Sequence, residues 1–114
     1  NPYVGCTHAC RYCYASFMKR FTSHPEPWGT FLDVKRWPEI RHPERYAGKE
    51  LFIGSVTDPY LPQEETFGRT RALLEQLKGS GVRTTRFVSP IFPGLTDGKA
   101  IIDRVKGQCN RIWL

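Results

Sequence analysis

KELFIGSVTDPY, residues 49–60, is the stretch on which the fold turns. Leu51 to Val56 make a compact apolar run flanked by polar and turn residues, the pattern of a strand buried on both faces. Strands of that kind belong to parallel sheets, which need a crossover helix, and the next residues supply one. EETFGRTRALLEQLKGSG (64–81) sets Phe67, Leu73, Leu74 and Leu77 along one side and ends in Gly79 and Gly81, a usual helix stop. RTTRFVSPIFPG (83–94) follows as a second strand running into a proline turn. LTDGKAIIDRVKG (95–107) offers Thr96 or Asp97 as N-cap and Ile101, Ile102 and Val105 as a buried stripe, and NRIWL (110–114) closes as a third strand. Strand, helix, strand, helix, strand predicts an α/β fold with a parallel sheet and right-handed crossovers. Its ligands belong at the carboxyl ends of the strands.

The residues before this stretch are less regular. YASFMKRF (14–21) places Tyr14, Phe17, Met18 and Phe21 at spacings of three and four, as one apolar helical face requires. Between Thr22 and Glu50 come Pro25, Pro27, Pro38 and Pro43 with Gly29 and Gly48, so this segment is expected to be an irregular connection with a short strand at TFLDVK (30–35). There is no internal repeat or low-complexity tract.

Bulk properties set the outer limits. The chain has 114 residues, 39% hydrophobic and 13% aromatic, which is enough for one globular domain with a modest core. Its apolar runs, such as LFIG (51–54) and AII (100–102), fall far short of the roughly 20 residues that cross a bilayer. That argues against a membrane partner, although the chain opens on Asn1 rather than a methionine, which leaves room for a removed leader. Four cysteines are too few for a disulfide-dense secreted scaffold, which points to a reducing cytoplasm. The net charge is +6, and the part from Thr66 to Leu114 carries all of it, nine Lys and Arg against Glu75, Asp97 and Asp103. Such a face attracts nucleic acid or an anionic cofactor, or is simply a solvated surface.

The chemistry concentrates near the start, in NPYVGCTHACRYCYA (1–15). Three of the four cysteines, Cys6, Cys10 and Cys13, lie within eight residues there, while Cys109 stands far away. This is not the arithmetic of a disulfide scaffold. A loop of that length can curl around one metal centre. Structural zinc normally takes four ligands, for which His8 or Cys109 would be the fourth. An iron–sulfur cubane also usually takes four cysteines, so three thiolates leave one iron open for a substrate or cofactor.

C-x3-C-x2-C with an aromatic before the last cysteine, here Cys6, Cys10, Tyr12 and Cys13, resembles the signature of radical S-adenosylmethionine (SAM) enzymes. NPYVGCTHACRYCYA, GSVTDPYLPQE (54–64) and FVSPIFPGLTD (87–97), in that order, resemble the branch related to spore photoproduct lyase. The resemblance implies a 4Fe-4S cluster held by Cys6, Cys10 and Cys13, with the amino and carboxylate groups of SAM on the fourth iron and Cys109 outside the cluster. It implies a lyase-like enzyme that cleaves SAM reductively to a 5′-deoxyadenosyl radical for hydrogen abstraction, fed by a flavodoxin- or ferredoxin-like electron donor. Tyr12 and Tyr14 would pack on the nucleoside, and Ser55, Thr57 and Asp58 would hold the SAM amino group. For that group a carboxylate beside hydroxyl acceptors is suitable chemistry. Ser89 is a weaker candidate for SAM or substrate contact, and an ST-turn before Pro90 accounts for it equally well.

The resemblance also has gaps. The family fold is a partial (β/α) barrel, and this chain shows three clear strands, so the expected domain is a single shortened core over 1–114. It would comprise a cluster loop and first helix (1–21), the irregular connection (22–50) and strand–helix repeats (51–114). Spore photoproduct lyases carry a hydrogen-donating cysteine where Ser55 and Val56 stand here, which disfavours DNA lesion repair by that route. A shortened sheet has edges to cover, so self-association or a partner chain completing the barrel is expected. Two other functions stay open. One is a zinc-stabilised nucleic-acid-binding module with Cys6, His8, Cys10 and Cys13 as ligands and Arg11, Lys19 and Arg20 nearby. The other is a degenerate fragment that binds a cluster without turnover.

Overall fold

The computed structural model describes every residue except Val88, Ser89, Pro90, Gln108 and Leu114, and the side chain of Arg104. The chain divides into two compact units, Asn1–Arg41 with Gly54–Gln76, and His42–Ile53 with Leu77–Leu114.

In the first unit, β1 (Tyr3–Cys6) pairs antiparallel with β2 (Phe31–Val34), so that Tyr3 faces Val34 and Cys6 faces Phe31. β2 falls inside the expected TFLDVK, whereas nothing in the sequence reading anticipated β1. Tyr3 and Gly5 point inward along β1 while Val4 and Cys6 are half-buried, the alternation a pleated strand imposes. Gly5 is obligatory. Its φ is +86°, and a Cβ there would lie 2.5 Å from the carbonyl oxygen of Phe31.

Tyr14–Phe21 is helical as expected, but it is a 3-10 helix, and its apolar stripe does not face a core. Tyr14 is 71% exposed, Phe17 46% and Phe21 66%, and only Ala15 is buried. With three residues per turn instead of 3.6, positions spaced by three and four no longer converge on one face. Phe17 and Phe21 instead flank the Arg20 guanidinium, at 5.6 and 4.7 Å from the ring centroids.

The helix expected from residue 64 onward is two. α1 (Glu64–Phe67) ends at Gly68, which is left-handed with φ +57°, and α2 (Arg69–Leu77) restarts at once. Gly68 has no side chain with which to cap α2, and the Glu64 carboxylate takes over. Its Oε2 accepts from the Thr70 N–H at 3.0 Å and its Oε1 from the Arg71 N–H at 2.9 Å. Phe67, placed on the buried side by periodicity, is 48% exposed because the break rotates it away. The buried residues of this unit include Tyr3, Ala15, Phe31 and Leu61, together with Thr57 and Thr70.

The second unit holds the expected parallel sheet, in the order β3 (Glu50–Ile53), β4 (Arg83–Phe87), β5 (Arg111–Trp113). The strand expected over Leu51–Val56 stops at Ile53, and burial on both faces is not what it shows: Phe52 is 53% exposed and Leu51 half-buried. β3 is an edge strand, and the doubly covered position belongs to β4, whose buried residues are Thr84, Thr85 and Arg86. A central strand made of Thr and Arg does not announce itself by hydropathy. Glu50 reaches across the sheet to accept hydrogen bonds from Thr85 Oγ1 and, at 3.3 Å, Arg111 Nη1.

α3 (Gly98–Val105) starts as expected, with Asp97 as its N-cap accepting from the Ala100 N–H at 2.9 Å. Of its expected buried stripe, Ile101 and Val105 are half-buried and Ile102 is exposed. The sheet does not close into a barrel among the described residues, and β3 and β5 are its edges. Among the described residues no helix is long and apolar enough to cross a membrane.

Candidate metal centre and cofactor site

Cys6 ends β1 and is fixed by its pairing with Phe31. The chain then loops through Cys10 and Cys13, and the Cys13 N–H donates to the Cys10 carbonyl at 3.1 Å, so the C-x2-C half of the motif is a tight turn leading into the 3-10 helix. All four cysteines are free thiols. Cys6 and Cys13 are half-buried and Cys10 is exposed.

Burial pushes the Cys6 thiol up, the backbone N–H groups of His8 and Asp58 pull the other way, and the charges of Asp58 and Cys10 push it up again. The Tyr12 phenol is also held above its ordinary value, by lost hydration first and then by the Cys10 thiol beside it.

The cysteine strand and loop are docked onto residues 57–64 by side chains. Asn1 Nδ2 donates to the Thr57 carbonyl at 3.0 Å, and Thr7 Oγ1 donates to Gln63 Oε1 at 2.9 Å. The buried Tyr3 hydroxyl donates to Glu64, the same carboxylate that caps α2. His8 Nε2 lies 3.1 Å from Asp58 Oδ2. Asp58 is held from its other side as well, because its Oδ1 accepts from the Tyr60 N–H at 2.8 Å in a local Asx-type turn. Loss of hydration first, and then Glu64, push the Tyr3 phenol up to about 12.

The structure thus brings Asp58 against the cysteine loop. Its side chain is 45% exposed, so oxygen lone pairs remain open to a ligand. Thr57 is buried at 2%, and Ser55 is exposed. Tyr12 and Tyr14 are 63% and 71% exposed and serve no core. Ser89 lies outside the described residues. Cys109 belongs to the second unit, its sulfur 4.0 Å from the Val105 carbonyl.

Sequence reasoning missed Tyr3, Thr7, Gln63 and Glu64, and considered His8 only as a metal ligand. A usable signal existed for Glu64: a helix that restarts after a glycine needs a cap from elsewhere, and an acidic residue one turn earlier can provide it.

Among the described residues no group of three or more His, Cys, Asp or Glu side chains is drawn together closely enough to hold a metal ion. The donor set still suits one. Three free thiols on one loop are the ligands an iron–sulfur cluster takes.

No protein-family model matches the sequence, and no solved structure matches it. The chain is similar to "Uncharacterized protein MJ0683" of Methanocaldococcus jannaschii, 37% identical over 78 residues that make up 68% of this chain and 29% of that protein. It is also similar to "Uncharacterized protein ORF301" of Acidianus two-tailed virus, 33% identical over 98 residues, 73% of this chain and 31% of that protein. The chain spans less than a third of the length of these curated relatives.

Proposed function

We propose that this chain is a radical SAM core whose parallel strands form part of a partial (β/α) barrel, and that Cys6, Cys10 and Cys13 hold a 4Fe-4S cluster beside a SAM site at Asp58. The observation that carries this reading is the docking of the three-thiol loop onto the TDPY segment. His8, carried on that loop, reaches Asp58 Oδ2 at 3.1 Å, and the Asp58 carboxylate stays half open beside it. A bound cluster and SAM would supply reductive cleavage of the sulfonium, with one electron from a flavodoxin- or ferredoxin-like donor, and hydrogen abstraction from a substrate.

The chain's own residues bind and orient. The cysteines fix the metal, Asp58 offers an acceptor to an ammonium group, and the exposed Tyr12 and Tyr14 rings offer faces to a nucleoside. The edges of the open sheet suit self-association or a partner chain.

Anaerobic reconstitution with iron and sulfide, followed by a SAM-cleavage assay under a strong reductant, tests this. A brown protein that loses its iron on Cys6→Ala, Cys10→Ala or Cys13→Ala, keeps it on Cys109→Ala and forms 5′-deoxyadenosine is expected. A colourless protein that retains zinc overturns the reading. Iron without SAM cleavage reduces it to a cluster-binding fragment.

A further inference from the structure

His8 sits between two of the proposed ligands, yet its Nε2 reaches Asp58 across 3.1 Å instead of turning toward the thiols. Both oxygens of Asp58 are thereby held, Oδ2 by His8 and Oδ1 by the Tyr60 N–H at 2.8 Å. A carboxylate oxygen has two lone pairs, so each oxygen with one donor can still accept another. The two donors remove the rotations that an exposed aspartate otherwise keeps. They leave the free lone pairs next to the cysteine loop that carries His8. Two segments half the chain apart are thus locked together at one carboxylate, and the imidazole that locks it is carried on the cluster loop itself.

We propose that His8 is a positioning residue: through Asp58 it sets the acceptor for the ligand's α-amino group in fixed register with the cysteine loop. The inference rests on the SAM reading above and adds to it a residue that is neither a metal ligand nor a cofactor contact. A neutral imidazole with its proton on Nε2 suffices, so no change of charge is needed. Preorganisation of this kind lowers the ordering cost of binding, and because His8 acts only through Asp58, its contribution must vanish when the Asp58 side-chain acceptor is removed.

The experiment uses the full chain reconstituted anaerobically. Iron is counted first, and binding is then measured by equilibrium dialysis with SAM and with the analogue lacking the α-amino group. His8→Leu keeps the bulk of the side chain without a donor, and His8→Gln restores a donor at similar reach. His8→Leu is expected to keep its iron, to bind SAM about 2- to 12-fold more weakly, as the ordering cost of one side chain implies, and to bind the desamino analogue as the wild type does. His8→Gln should recover most of the affinity. His8→Leu combined with Asp58→Ala should bind no more weakly than Asp58→Ala alone.

Loss of iron from His8→Leu overturns the proposal, since His8 would then serve the loop itself. Unchanged SAM affinity, equal weakening toward both ligands, or effects that multiply in the double variant overturn it too. A wild-type chain that takes iron but binds no SAM removes the reading beneath it, a result distinct from wild-type binding that His8→Leu leaves unaltered.

Discussion

In the first unit the regular structure amounts to one four-residue antiparallel pair, a 3-10 helix and two short helices, and named polar side chains tie these pieces to one another: Tyr3 to Glu64, Thr7 to Gln63, His8 to Asp58, Thr70 to the Pro59 carbonyl. In the second unit a parallel backbone ladder does that work, over a small apolar core of Ile53, Leu77 and Val82, with one cross-sheet carboxylate at Glu50. A ladder tolerates most side chains because the backbone carries it, whereas a docked loop depends on each donor and acceptor. The unit that bears the candidate site is therefore the one in which single substitutions should matter most.

Gly5→Ala should have the largest effect. The new Cβ meets the Phe31 carbonyl at 2.5 Å with φ at +86°, and left-handed strain together with overpacking costs about 2–5 kcal/mol. Hydrogen exchange should lose protection at β1 and β2 while β4 keeps it. Protection retained at β1 would break the contrast between the units.

Glu64→Ala comes next. It strands the buried Tyr3 hydroxyl and removes the cap of α2, at a cost of about 2–3 kcal/mol in urea unfolding.

Alkaline pH probes the same pair without mutation. The Tyr3 phenol is raised in the folded state to about 12, so its stabilisation is fully present below the unfolded value near 10. It is lost as pH rises from there through about 12, in total on the order of 2–3 kcal/mol. Tyr3→Phe should lack that alkaline component, and an identical alkaline slope in the variant would rule it out.

In the second unit Asp97→Ala removes one N-cap bond, from the Ala100 N–H, and should cost only about 1 kcal/mol. A loss as large as that from Glu64→Ala would erase the distinction between the two regions.

The sequence by itself determined the parts whose signal is local. The succession of the three parallel strands, an N-cap at Thr96 or Asp97, the short strand within residues 30–35 and the placement of Cys6, Cys10 and Cys13 on one loop all follow from apolar runs, turn residues and spacing. Periodicity failed where a local rule was overridden. It gave one helix where Gly68 makes two, and a buried stripe over Tyr14–Phe21 where 3-10 winding turns the aromatics outward. It also assigned to β3 the burial that β4 receives, because a strand's rank in a sheet is a property of its neighbours. The docking of the cysteine loop was decided by tertiary structure alone. Residues 1–8 meet 57–64 through hydrogen bonds made by single side chains, a pairing that leaves no period or composition in the sequence and exists only once the two segments are brought within about 3 Å.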